Sequence, residues 1–140
     1  MSDDTPSGTH VNPPWPGSIE SLRAHQGRRV LVCLTGGIAC YKLAHVVSAL
    51  VQAGFETLVA MTPAATRFVG PLTFEALSGR RVHLSAWEDV EARDPQHIRL
   101  ARSMDVVLVA PCTMDAAARL AAGRADDIVS LLVSAVDRQR

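Results

Sequence analysis

Three short stretches hold residue types that can do chemistry. The first is Thr35-Gly36-Gly37-Ile38, where an apolar run ends in paired glycines and a helical pattern starts at once. Backbone N–H groups at a helix N-terminus attract anions, because the helix dipole leaves partial positive charge there. The stretch either cradles a phosphate or is a strand-to-helix turn that needs glycine for steric reasons alone. The second runs from Thr62 to Phe68, TPAATRF. Thr62 can offer its hydroxyl to a ligand or cap a helix. Arg67 can pair with a phosphate or stand in solvent, and Phe68 can lie beside a ring or fill a core. The third is Ala110-Pro111-Cys112-Thr113-Met114-Asp115. Its small and hydroxyl residues permit close approach of a flat ligand. Thr113 or Asp115 can equally cap the next helix, and Cys112, with no basic neighbour, reads as an inert buried thiol.

Five histidines are present. His10 falls in an N-terminal tail, His25 and His45 at surface positions, and His83 in or near a short strand. His97 opens a helical stretch, Gln96-His97-Ile98-Arg99-Leu100. Its value as a base depends on geometry that sequence does not carry. Walker A, GxGxxG, HExxH and GxSxG motifs and paired catalytic carboxylates are all missing.

These stretches need elements to position them. Arg29–Leu34 is a near-continuous apolar run, as expected for a strand buried on both faces of a parallel sheet. Ile38–Ala53 repeats apolar residues at helical spacing, and Gly54 stands at the cap position. Phe55–Met61 reads as a second strand, and Thr62-Pro63 opens a short helix. Pro71–Ser78 is a helix stopped by Gly79. Val82-His83-Leu84 suggests a short strand and His97–Ser103 a helical turn or two. Val106–Ala110 is the clearest buried strand. Met114–Ala122 is helical, ending at Gly123, and Asp126 or Asp127 caps a last helix through Val136. Strands alternating with helices imply an α/β fold. The expected form is a doubly wound, Rossmann-like parallel sheet in three layers, with helices on both faces. Ligands of such sheets lie beyond the carboxyl ends of the strands, where the three stretches fall.

Apolar residues make up 48% and charged residues 20%, with fourteen basic and fourteen acidic side chains, the balance of an ordinary soluble domain. Zero net charge and the lack of a basic run argue against nucleic acid. No run of eighteen apolar residues exists to span a membrane, and the polar, proline-rich start is not a secretory signal. Three cysteines, Cys33, Cys40 and Cys112, match no metal spacing, and no metal is expected. All three fall in or beside elements expected to be buried, which suits reduced thiols in the cytoplasm. Residues 1–27 read as a flexible N-terminal tail and 28–140 as one domain.

TGGIACYK, MTPAATRFVGPLTFEALSG, HIRLARSMDVVLVAP and LAAGRADDIVSLL occur in that order. Together they resemble the flavin-containing cysteine decarboxylases, closest to the phosphopantothenoylcysteine decarboxylases of coenzyme A biosynthesis, over about Arg29 to Ala135. The resemblance implies FMN as cofactor, bound between protomers of a homotrimer or of a dodecamer built from trimers. It implies Gly36, Gly37 and Ile38 in the first flavin loop and Thr62 as the hydroxyl residue after the second strand. It implies Phe68 beside the isoalloxazine, and Cys112, Thr113, Met114 and Asp115 in the loop after the last strand. It implies His97 as the catalytic, proton-handling residue. The implied reaction is oxidative decarboxylation of a cysteinyl small molecule to 4'-phosphopantetheine. FMN oxidises the thiol-bearing carbon, so that a C=S group can take up the electrons left when CO2 departs.

Two alternatives stand beside this reading. One is a non-catalytic flavin-binding or assembly module. The other is a flavin prenyltransferase, suggested by Pro111-Cys112-Thr113-Met114, although His97 and TGGIACYK lean toward the decarboxylases. The resembled family carries asparagine at the place of Asp115, an amide that donates as well as accepts. It also continues into a further strand and a Pro-x-Met-Asn motif for the substrate carboxylate, then a flap with a reducing cysteine. The expectation here is a flavoprotein domain that is short at its C-terminal end.

Overall fold

The computed structural model describes residues 22–85 and 96–136, without the side chains of Gln96 and His97. Its centre follows from one strand that is apolar on both sides. β1 (Arg29–Leu34) is buried from Val30 onward. Val30, Val32 and Leu34 enter one core, whereas Leu31 and Cys33 enter another. Successive side chains of a strand point to opposite faces, so such a strand requires cover on both.

β2 (Glu56–Met61) and β3 (Val106–Val109) flank it, both parallel, in the order β2-β1-β3. Val32 pairs with Val59 on one side and Leu108 on the other. α1 (Cys40–Gln52) and α2 (Pro71–Ser78) cover the first face, where Cys40, Leu43, Val47 and Phe74 pack. α3 (Gln96–Ser103) and α5 (Ile128–Ala135) belong to the second face, where Ala101 joins Met104, Ile128, Val129 and Leu132. The result is the expected three-layer, Rossmann-like α/β arrangement. α4 (Met114–Ala121) follows β3 and fully buries none of its side chains.

Local chemistry sets the element ends. α2 begins with Pro71 in its first turn and stops at Gly79, whose φ of 68° suits a residue without a Cβ. Of the two candidate caps for α5, Asp127 serves. Its carboxylate accepts from the Ser130 N–H at 2.7 Å, and the Ser130 hydroxyl accepts from the Asp127 N–H at 3.2 Å. Such a reciprocal cap contributes about 1 kcal/mol.

Several boundaries differ from the sequence reading. α1 starts at Cys40, two residues late, because Gly37 to Ala39 form a turn closed by the Cys40 N–H on the Gly37 carbonyl. The short helix after Pro63 is a 3-10 turn, Ala65–Arg67. Val82 to Leu84 form no strand; His83 alone bridges Ala60 in parallel fashion. β3 departs furthest. It is not the best-buried strand, because Val106 and Leu108 are exposed on the face that α1 and α2 cover over β1. His25 and His45 are exposed, as expected. His10 and residues 1–21 of the expected tail lie outside the described residues. No helix among the described residues is long and apolar enough to cross a membrane.

Candidate functional site

Parallel strands bring their carboxyl ends to one edge of the sheet, so the loops after Leu34, Met61 and Val109 are neighbours there. The chain moves from β1 to β2 on one side and reaches β3 on the other. The switch point therefore lies between β1 and β3, beside the first and third loops.

The first loop is central. Gly36 lies against the second loop so closely that a Cβ built on it would stand 2.5 Å from Ala64 Cβ. Gly37 faces the third loop, where a Cβ would meet Pro111 Cγ at 3.4 Å. Hydrogen bonds lace the edge together. The Thr62 N–H donates to the Leu34 carbonyl at 3.0 Å, and the Ala110 N–H donates to the Cys33 carbonyl at 2.9 Å. The Thr35 hydroxyl donates to the Pro111 carbonyl and accepts from the Thr113 N–H at 3.0 Å.

Each loop also presents an apolar side chain to solvent. Ile38 is 74% exposed, Phe68 48% and Met114 85%. Of the two readings open for Phe68, the structure removes the core one. Thr62 is buried, and its hydroxyl accepts at 3.2 Å from the N–H of Ala65, the first residue of the 3-10 turn. Thr113 is the N-cap of α4, accepting from the Ala116 N–H at 3.2 Å. Arg67 stands exposed beside Phe68.

Asp115 occupies the first turn of α4, and its carboxylate turns along the helix to Arg119, with Nε 2.8 Å away. Arg119 also donates to both carboxylate oxygens of Asp126 at 3.0 and 2.9 Å, and Arg124 donates to Asp126 as well. The hydrogen bond to Asp115, then that to Asp126, pushes the Arg119 pKa upward. Desolvation pushes the Asp126 carboxyl upward, but the hydrogen bonds and charges of Arg119 and Arg124 outweigh it and hold it below its ordinary range. The carboxylate at the loop is thus one of a paired set rather than a bare charge.

A rim of three laced loops, offering helix-terminal N–H groups and exposed apolar side chains, suits a flat, anionic group. A comparison with known proteins narrows the class, because the family model described as Flavoprotein matches residues 18–140. The chain belongs to the flavoprotein family. This flavoprotein is 47% identical over 103 residues to the coenzyme A biosynthesis bifunctional protein CoaBC of Mycolicibacterium smegmatis, covering 74% of this chain and 24% of that protein. The CoaBC of Bacillus subtilis is 44% identical over 103 residues, covering 74% and 25%. The flavoprotein chain thus spans about a quarter of the length of these relatives. Among solved structures, the FMN-dependent cysteine decarboxylase SpaF matches with a TM-score of 0.71 and 28% identity, covering 79% of this chain and 64% of that one.

Within the flavoprotein, the structure brings Gly36, Gly37, Ile38, Thr62, Phe68, Cys112, Thr113, Met114 and Asp115 to the loop edge of the sheet. His97 lies in α3, and its side chain is outside the described residues. The sequence places Thr35 and Ala64 in the candidate loops without giving either a role of its own, and it does not single out Arg119. Only the spacing of four between Asp115 and Arg119 was a usable signal. The partners of the Thr35 hydroxyl lie more than seventy residues away in sequence.

The flavoprotein's thiols divide, contrary to the expectation that all three are buried. Cys33 and Cys40 are buried, but Cys112 is exposed, because it stands in the loop between β3 and α4 rather than within the sheet. Burial, and then the charge of Asp127, pushes the Cys33 thiol from its ordinary 9.0 up to about 12. A water-soluble disulfide reagent is expected to titrate Cys112 in the native protein and all three thiols after unfolding. Fast native labelling of Cys33 contradicts its placement. The unfolded chain ionises Cys33 from about pH 9, whereas the folded chain keeps it protonated. Stability is therefore full below pH 9 and falls toward pH 12, at about 1.4 kcal/mol per pH unit for this group. Urea titrations at pH 8 to about 10.5 should show this slope, and Cys33→Ala should lack it.

Proposed function

We propose that this chain binds FMN at the three-loop edge and serves oxidative decarboxylation of phosphopantothenoylcysteine to 4'-phosphopantetheine in coenzyme A biosynthesis. The observation that carries the reading is the junction itself: three loops tied into one rim, with Ile38, Phe68 and Met114 protruding around the start of α1. The identity to CoaBC proteins and the likeness to an FMN-dependent cysteine decarboxylase support it.

The first loop, Gly36, Gly37 and Ile38, holds the phosphate-bearing part of the cofactor, where the α1 dipole favours an anion. Phe68 lies beside the ring system, with Thr62 near it, and Cys112, Thr113, Met114 and Asp115 form the opposite wall. When bound, FMN supplies the two-electron redox capacity that makes loss of CO2 from a cysteinyl carboxylate feasible. The protein orients substrate and cofactor, excludes water and moves protons, with His97 as the proton-handling residue.

Ile38, Phe68 and Met114 are too exposed for a rim left open to water, and a second copy of the chain supplies the cover. A homotrimer, or a dodecamer of trimers, with the site between protomers in the cytoplasm, follows from the resemblance. The test is to supplement the purified chain with FMN, remove excess by gel filtration and record its spectrum. Bands at about 370 and 450 nm are expected, with labelled CO2 released from phosphopantothenoylcysteine. A well-folded protein that emerges colourless defeats the cofactor assignment.

A further inference from the structure

One buried side chain joins the first and third loops across the switch point. Thr35 is 2% exposed. Its hydroxyl donates to the Pro111 carbonyl and accepts from the Thr113 N–H at 3.0 Å. Its backbone N–H donates to the same Pro111 carbonyl at 3.3 Å. Its own carbonyl accepts from the Gly37 N–H at 2.8 Å and from the Cys40 thiol at 3.2 Å. Every polar group of Thr35 is thus engaged within the protein. It also reaches three places at once: the glycine turn, the first residue of α1 and the loop that caps α4.

We infer that Thr35 is a positioning residue. Its hydroxyl sets the spacing and register of the first and third loops, and it acts on a ligand only through them. The physical reason is the pairing. The two loops leave adjacent strands and touch where Gly37 meets Pro111. Among the described residues, both side-chain hydrogen bonds between these two loops run through the Thr35 hydroxyl. Without it the Thr113 N–H is left without this acceptor, and a part-buried donor in that state seeks water by moving outward. Thr113 also caps α4, so the movement carries Met114 and Asp115 with it. The consequence for FMN rests on the function proposed above; the latch itself does not.

Two variants and two readouts test this. Thr35→Val keeps the shape and removes the hydroxyl, while Thr35→Ser keeps the hydroxyl. FMN affinity, titrated by flavin fluorescence well below the unfolding midpoint, should fall about tenfold or more in the valine variant and stay within about threefold of wild type in the serine variant. Amide exchange of the cofactor-free protein is the second readout. The Thr113 N–H should be protected in the wild type and in Thr35→Ser, and should exchange about tenfold or more faster in Thr35→Val. If the wild type takes up no FMN, the cofactor reading falls and exchange alone judges the latch. A Thr113 N–H that exchanges in the wild type like a free loop amide overturns the inference without any variant. Equal FMN affinity and equal exchange in Thr35→Val and wild type overturn it as well.

Discussion

On the proposed function, His97→Asn should lower CO2 release from phosphopantothenoylcysteine by about a hundredfold to ten-thousandfold, the usual contribution of a positioned proton-transfer group. FMN affinity should stay at the wild-type level. His97 is the second residue of α3, and α3 reaches β3 through two residues, Met104 and Asp105. Ala101 and Met104 anchor the other end of α3 in the second core. Asparagine keeps a hydrogen-bonding head of similar reach but cannot gain and lose a proton near neutral pH. The measurement is single-turnover CO2 release beside a flavin titration. Unchanged release with asparagine in place removes His97 from the chemistry, and loss of both release and FMN binding assigns it a structural part instead.

Gly36→Ala should destabilise the chain by about 1–3 kcal/mol through overpacking alone. The added carbon would stand 2.5 Å from Ala64 Cβ and 3.0 Å from the Ala64 carbonyl carbon. The second contact is with backbone, so no side-chain rotation relieves it, and the first and second loops must separate. FMN binding should weaken with the separation, because Ile38 and Phe68 belong to those two loops. Gly37→Ala is the matched control. Its new carbon meets Pro111 and Thr113 side-chain atoms at 3.4 Å or more, so its cost should be visibly smaller. Urea midpoints and FMN titrations of both variants decide the matter. A Gly36→Ala protein as stable as Gly37→Ala would mean that the two loops do not meet as described.

Some of this molecule was legible in its sequence because local rules and burial agreed. RVLVCL admits one reading, since a strand apolar at every position after the first needs helices on both faces, and β1 has them. Pro71 and Gly79 delimit α2 by backbone chemistry that tertiary context does not alter. Asp127 was one of two caps that sequence left open, and the hydrogen bond to Ser130 chose it.

The expectations that the structure overturns depend on what lies across space. VVLV is as apolar as β1, yet Val106 and Leu108 are exposed, because burial belongs to a face and its cover rather than to a run of residues. Cys112 sits beside buried elements in sequence and on the surface in the fold. The residue types of the three loops, and through them the flavoprotein resemblance, came from sequence alone. That Gly36 meets Ala64, and that Thr35 meets Pro111 and Thr113, came from the parallel sheet, which sets side by side strand ends far apart along the chain.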